Sequence, residues 1–236
     1  MANHDQVVSP PRAGDEKKKS TYIRAVRKFE ADMDGACDQL SLVIKAFHAV
    51  EKRIEQALVT SLPVPHRLEL RRMSLLLKVD FLGALGFIDP QRRPLFDKIN
   101  AIRNAYAHDP HKVFGDEDFA RVKAAVKAHV PNVDDSVVPD PINTLKALFV
   151  FTYACSFNAY KNAMKQKAGN FITSLWLAEL ERDEEEPSVH KTVAQVDAEI
   201  ETKLRVYLTE KFPEFDLDEI LPDLLDNQRK SRKSGG

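Results

Sequence analysis

The chain has 236 residues, 43% hydrophobic and 30% charged, and its 35 lysines and arginines against 36 aspartates and glutamates leave a formal net charge of −1 at pH 7. A chain of this length buries roughly 70% of its unfolded surface, enough for one sizeable core without outside staples. The charge balance excludes a global field that would hold the molecule on nucleic acid or an anionic membrane, so any such binding requires a local patch.

Residues 1–20 are polar and lysine-rich, with Lys17, Lys18 and Lys19 in a row; they lack the apolar centre of a signal peptide and read as a disordered, solvated tail. From Ile23 the apolar positions Val26, Phe29, Met33, Cys37, Leu40, Ile44, Phe47, Val50, Ile54 and Leu58 recur at steps of three or four. That spacing predicts one long amphipathic helix carrying Gly35 inside it at a cost of about 1 kcal/mol. Pro63-Val64-Pro65 ends the run. A second helix is expected to carry Leu70, Met73, Leu77, Phe81 and Leu85, closed by Gly86 as a left-handed cap.

Asp89-Pro90 restarts the chain as N-cap and first helical residue, and Leu95, Ile99, Ile102 and Tyr106 mark a buried face. Residues 116–130 open with acidic side chains and place Phe119, Val122 and Val126 at helical spacing. Asp140-Pro141 repeats the start signal before Leu145, Leu148, Phe149, Thr152, Cys155 and Tyr160, a segment apolar nearly all round and therefore expected in the middle of a bundle. It continues, with a candidate kink at Gly169, through Phe171, Leu175 and Trp176.

Residues 181–187 are acidic and end in Pro187, which places a boundary between a bundle at 21–180 and a C-terminal extension at 181–236. In the extension Val189, Val193, Val196, Ile200, Leu204 and Tyr207 form an amphipathic stripe, residues 220–225 a shorter leucine-bearing segment, and Arg229 to Lys233 a solvated basic tail. The expected fold is all-α, a helical bundle with a helical extension. Only two cysteines occur, Cys37 and Cys155, far apart and outside any zinc-ligand spacing; with the missing signal sequence they lead to a cytoplasmic expectation. No apolar run reaches the ~18 residues of a membrane span, so no membrane contact is expected.

One motif carries chemistry: Arg103-Asn104-Ala105-Tyr106-Ala107-His108. Asp109-Pro110 follows, and because the residue before proline avoids the α region, the helix should stop near His108. At ~100° per residue Asn104 and His108 share a face about 40° apart, while Ile102 and Tyr106 point to the core and Arg103 borders both. A guanidinium can neutralise charge building on phosphoryl oxygens, and an imidazole beside it can move the proton of an attacking hydroxyl. Neither role requires a metal or a cofactor, and none is expected. Arg92, Arg93, Lys98 and Lys112 outnumber Asp97 and Asp109 around the motif, which makes them candidates for binding a polyanion such as RNA. The same residue types can equally satisfy helix-end carbonyls and form salt bridges across a bundle. His111 and His129 could join His108, but match no metal-site spacing.

The run Lys78-Val79-Asp80-Phe81-Leu82-Gly83-Ala84-Leu85-Gly86-Phe87-Ile88, followed by residues 99–108, resembles the mannitol operon repressor family and, more widely, the HEPN superfamily of helical domains marked by an Arg, a polar residue and a His a few positions on. The likeness follows helix order over roughly residues 23–180 and is specific over 78–108. It implies a homodimer in which Arg103 stabilises a phosphorane, Asn104 orients the phosphate or the histidine, and His108 transfers protons as RNA is cut through its own 2′-hydroxyl. A toxin or phage-defence effector with a protein antitoxin is one expectation. A non-catalytic regulator acting through protein or nucleotide contacts is the other, since the repressor-like branch acts by regulation. The sequence departs from the nucleotidyltransferase-linked toxins of the superfamily, having Pro110 where they carry a tyrosine two positions after the histidine.

Overall fold

The computed structural model describes residues 20–36, 38–109, 111–112, 114–129, 140–185 and 191–234. Among them the chain is all helical: α1 (Thr21–Asp34), α2 (Gln39–Ser61), α3 (Leu75–Ala84), α4 (Arg93–His108), α5 (Asp116–His129), α6 (Pro141–Glu185), α7 (Val193–Lys211) and α8 (Leu217–Ser234), with short 3-10 turns at Pro65–Arg67, Leu70–Arg72 and Pro90–Arg92. None of these helices is long and apolar enough to cross a membrane.

The single long helix expected from residue 23 to 58 is two helices. Ala36 N–H closes a tight turn on the Met33 carbonyl at 3.0 Å, and Asp38, in an extended conformation, caps α2 by accepting from the backbone N–H and the hydroxyl of Ser41, both at 2.8 Å. Those bonds, from the Ser41 backbone first, hold the Asp38 carboxyl below its ordinary range. Apolar spacing alone missed the break because Phe47, Val50, Ile54 and Leu58 keep the step of three or four after it, although the expected Ile23 and Ile44 are exposed, whereas Asp38 three residues before Ser41 is an ordinary N-cap signal.

The helix expected from Leu70 begins at Leu75, where the Ser74 hydroxyl accepts from Leu77 N–H at 3.3 Å. Its buried face is Leu75, Lys78, Val79 and Leu82. The expected positions Leu77, Phe81 and Leu85 face outward at 46%, 38% and 43% exposure. The reason is Lys78, which is only 1% exposed because its ammonium lies 2.8 Å from Glu51 and 2.6 Å from Glu55, one turn apart on α2. A lysine neutralised on both sides can occupy the inward face, and the helix is rotated accordingly. Gly86 closes α3 as expected, with a φ of 78° that other residues rarely adopt.

The segments around α4 and α5 follow the reading closely. Asp89 accepts from Gln91 N–H at 2.9 Å, and Leu95, Ile99, Ile102 and Tyr106 are buried, as are Phe119, Val122 and Val126 of α5. Helix α6 runs for 45 residues, about 68 Å at ~1.5 Å per residue. It passes through Gly169 without a break and includes residues 181–185, so this part of the acidic stretch is helix rather than linker. Its most extensive partner is α2, and α1, α5, α7 and α8 also pack on it.

Helix α7 opens with a capping box between Thr192 and Gln195 and buries Val196, Ile200, Leu204 and Leu208, while the expected Val193 is exposed. These residues, with Phe212, Phe215, Ile220, Leu221 and Leu224, belong to the same apolar cluster as the core of α2 and α6. Polar contacts reinforce the join: Thr21 N–H donates to Glu219 at 2.7 Å, Asp216 N–H donates to the Thr21 hydroxyl at 3.1 Å, and Lys161 and Lys165 of α6 pair with Glu219 and Asp223, each at 3.0 Å. Residues 229–233, expected as a solvated tail, continue α8. The proposed N-terminal tail and Val189 lie outside the described residues apart from Ser20.

Candidate functional site

Helix α4 presents the motif. Its buried stripe fixes the rotation of the helix, and Tyr106 anchors the last turn. The Tyr106 hydroxyl donates to Gln39 at 2.9 Å, and its ring lies 5.1 Å from that of Phe114. Burial, with the nearby Asp38 charge, pushes its phenol up to about 12. The helix ends at His108, as the following proline led one to expect: Asp109 is extended, and its N–H still bonds the Ala105 carbonyl at 3.0 Å. His108 therefore stands at the carbonyl end of the helix dipole.

Arg103, Asn104 and His108 are all exposed. The Arg103 guanidinium lies 5.6 Å from the centroid of the Phe47 ring on α2 and donates to Asn104 Oδ1 at 3.2 Å. This places a planar cation over an aromatic face with a side-chain amide beside it, which restrains the guanidinium without neutralising it. Neither Arg103 nor His108 has an ionic partner among the described residues, and His108 makes no hydrogen bond to them. Five cavities of about 310 to 450 Å³ lie elsewhere, and none of those five is lined by the three motif residues.

The four basic candidates fall into different roles. Arg92 is half-buried and donates to the His129 carbonyl at the end of α5. Arg93 is gripped by two carboxylates, 2.9 Å from Asp80 on α3 and in contact with Asp97 one turn along α4; these bonds raise its already high pKa further. Lys98 is half-buried. Lys112 lies 5.2 Å from the centre of the Phe114 ring, on the short link after His108. Along the helix Arg93 and His108 are about 22 Å apart. Within one chain, then, Lys112 follows the motif on the link after His108 and Lys98 stands mid-helix, while Arg92 and Arg93 sit at the opposite end of α4.

Lys78, paired with Glu51 and Glu55, is the charged cluster that the sequence reading passed over. Its signals were present: a lysine in phase with Leu75 and Leu82, and two glutamates four apart on the preceding helix. The burial opposes its charge, but the hydrogen bonds it donates to Glu51 and Glu55, with their negative charges, outweigh it and leave the ammonium with a raised pKa. His129 Nδ1 lies 2.8 Å from the Ala125 carbonyl and His111 is exposed. No group of three His, Cys, Asp or Glu side chains among the described residues is arranged to hold a metal ion.

Compared with protein-family models, curated proteins and solved structures, the chain shows no match. The functional reading therefore rests on the geometry of α4 and on chemical principle.

Proposed function

We propose that the chain is a HEPN-type, metal-independent endoribonuclease that works as a homodimer. The observation that carries this reading is the state of Arg103 and His108: both are exposed on a firmly anchored helix end, and neither is neutralised by a carboxylate. Residues of these types kept for stability would pair with carboxylates or cap carbonyls, as Arg92 and Arg93 do. In the proposed reaction the 2′-hydroxyl of RNA attacks the adjacent phosphorus and the P–O5′ bond breaks; one His108 takes the hydroxyl proton, the other gives a proton to the leaving 5′-oxygen, and Arg103 holds the charge on the phosphoryl oxygens. Asn104, bonded to Arg103, keeps the fork aimed. A dimer supplies two histidines, one as base and one as acid. Support for a second copy comes from α3, which exposes Leu77, Phe81 and Leu85 as an apolar face and is tied to the start of α4 by the Asp80–Arg93 pair.

The test is cleavage of RNA in EDTA. The expected outcome is 2′,3′-cyclic phosphate ends, no cleavage of the same sequence as DNA, and a light-scattering mass of two chains. A second reading, a non-catalytic regulator acting through protein or nucleotide contacts, draws on one observation: Arg93 is neutralised by Asp80 and Asp97, which thins the basic surface along α4. Absence of cleavage of any RNA, with dimerisation lost in His108→Ala, decides for the regulator.

A further inference from the structure

A second site lies on another side of α2. A cavity of about 450 Å³ opens between α1, α2, α6 and the turn before α8. Arg53 forms its floor. The guanidinium stands over three rings of α6, 5.9 Å from Tyr153, 5.2 Å from Phe157 and 5.7 Å from Tyr160. Nε donates to the Tyr153 hydroxyl at 3.2 Å and Nη1 to Gln56 at 2.8 Å. Among the described residues its ionic partner is Glu214, 3.9 Å away and itself held by the Tyr160 hydroxyl at 2.5 Å. Arg53 is thus a half-buried cation fixed in place by neutral groups, with one carboxylate at the edge of ion-pair distance.

Two lysines line the same cavity, Lys28 from α1 and Lys52 from α2. Both are exposed, and neither has an ionic partner among the described residues. Asp32, also exposed, and Glu214 are the opposing charges on this lining, which leaves it a net single positive charge. Three cations line one concave space against two carboxylates, one cation being restrained at its base, and the excess positive charge suits an anion of ligand dimensions. A guanidinium offers paired donors to two oxygens, and lysines add point charges to a third.

We propose that this cavity binds a small phosphate monoester, its dianionic head placed between Lys28, Lys52 and Arg53. Asp32 offers an acceptor to a hydroxyl of the esterified group. The site goes beyond the ribonuclease reading and does not depend on it. Phe47, under Arg103, and Arg53 are about 120° apart around α2, so the two sites face different directions.

Isothermal titration of the full chain with 5′-AMP, adenosine and inorganic phosphate tests the proposal. The expected result is binding of 5′-AMP, competition by inorganic phosphate and no binding of adenosine. Arg53 is built into the aromatic floor and its loss can disturb folding, so the rim carries the test: Lys28→Ser with Lys52→Ser should weaken 5′-AMP at least tenfold while leaving the melting temperature and any RNA cleavage unchanged. No heat with 5′-AMP at millimolar concentration, equal binding of adenosine, or unchanged affinity in the double variant would overturn it. Cleavage activity, present or absent, leaves this readout intact.

Discussion

The two ends of α4 treat their charges in opposite ways. At the first turn Arg93 lies between Asp80 and Asp97, and Arg92 just before it caps the end of α5. At the last turns Arg103 rests on a ring and an amide, and His108 touches no charge among the described residues. The same helix, held by one apolar stripe, therefore carries engaged cations at one end and open ones at the other. The contrast separates side chains that stabilise the bundle from side chains available to a ligand, and it does so without reference to residue type. Lys78 and the contacts of Glu219 belong with the engaged group.

Removing a large block of engaged contacts should have the largest effect. Truncation after residue 185 removes Ile200, Leu204, Leu208 and Phe212 from the shared core, along with the Glu219 bond to Thr21. Burial of each such side chain contributes about 1.5–3 kcal/mol, and their sum is comparable to the ~5–15 kcal/mol by which a domain is stable. The truncated chain should show no cooperative thermal transition. A sharp transition near that of the full chain would instead establish 21–180 as a bundle that folds alone.

His108→Ala is the sharpest test of the open end. It should lower RNA cleavage by ~10²–10⁴-fold with circular dichroism and melting temperature unchanged. Arg103→Lys, which keeps charge but not the planar fork, should also be impaired. Should His108→Ala lose helicity, the two ends of α4 are alike after all.

At Lys78 the effect should be on stability alone. Lys78→Ala leaves Glu51 and Glu55 facing an apolar gap and should cost about 3 kcal/mol in urea denaturation, whereas Lys78→Met, which fills the volume, should cost less. The sign with pH follows from the raised ammonium pKa. The lysine's contribution is full below its unfolded value of about 10.4 and is lost as pH rises through the higher folded value. Wild type should therefore lose stability in the alkaline range above about pH 10, and Lys78→Met should show a smaller alkaline loss.

The smallest effect is expected at Arg93. Arg93→Ala removes partly exposed pairs, for which about 1 kcal/mol is an upper figure, and should leave RNA cleavage close to wild type because its guanidinium is already neutralised. A large loss of RNA affinity would show that Arg93 leaves Asp80 and Asp97 to meet the substrate.

Much of this was legible beforehand. The all-helical class, the starts at Asp89 and Asp140, the Gly86 cap, the buried stripe of α4 and the helix stop at His108 all follow from local rules: apolar period, side-chain caps, backbone freedom at glycine and the restriction before proline. Such rules act within a few residues, so one sequence window suffices to read them. The exposure of Asn104 and His108 was likewise implied by the phase of Leu95, Ile99, Ile102 and Tyr106. What only the tertiary structure decided depends on partners distant in sequence. Lys78 turns inward because Glu51 and Glu55 meet it from another helix, and that rotation moves Leu77 and Phe81 to the surface. Arg93 is silenced by Asp80 across a helix pair, Arg53 is set over rings some 100 residues away in sequence, and α8 reaches back to Thr21. A charge in a sequence is the same whether it is paired or free; which of the two it becomes is settled by what the fold brings against it.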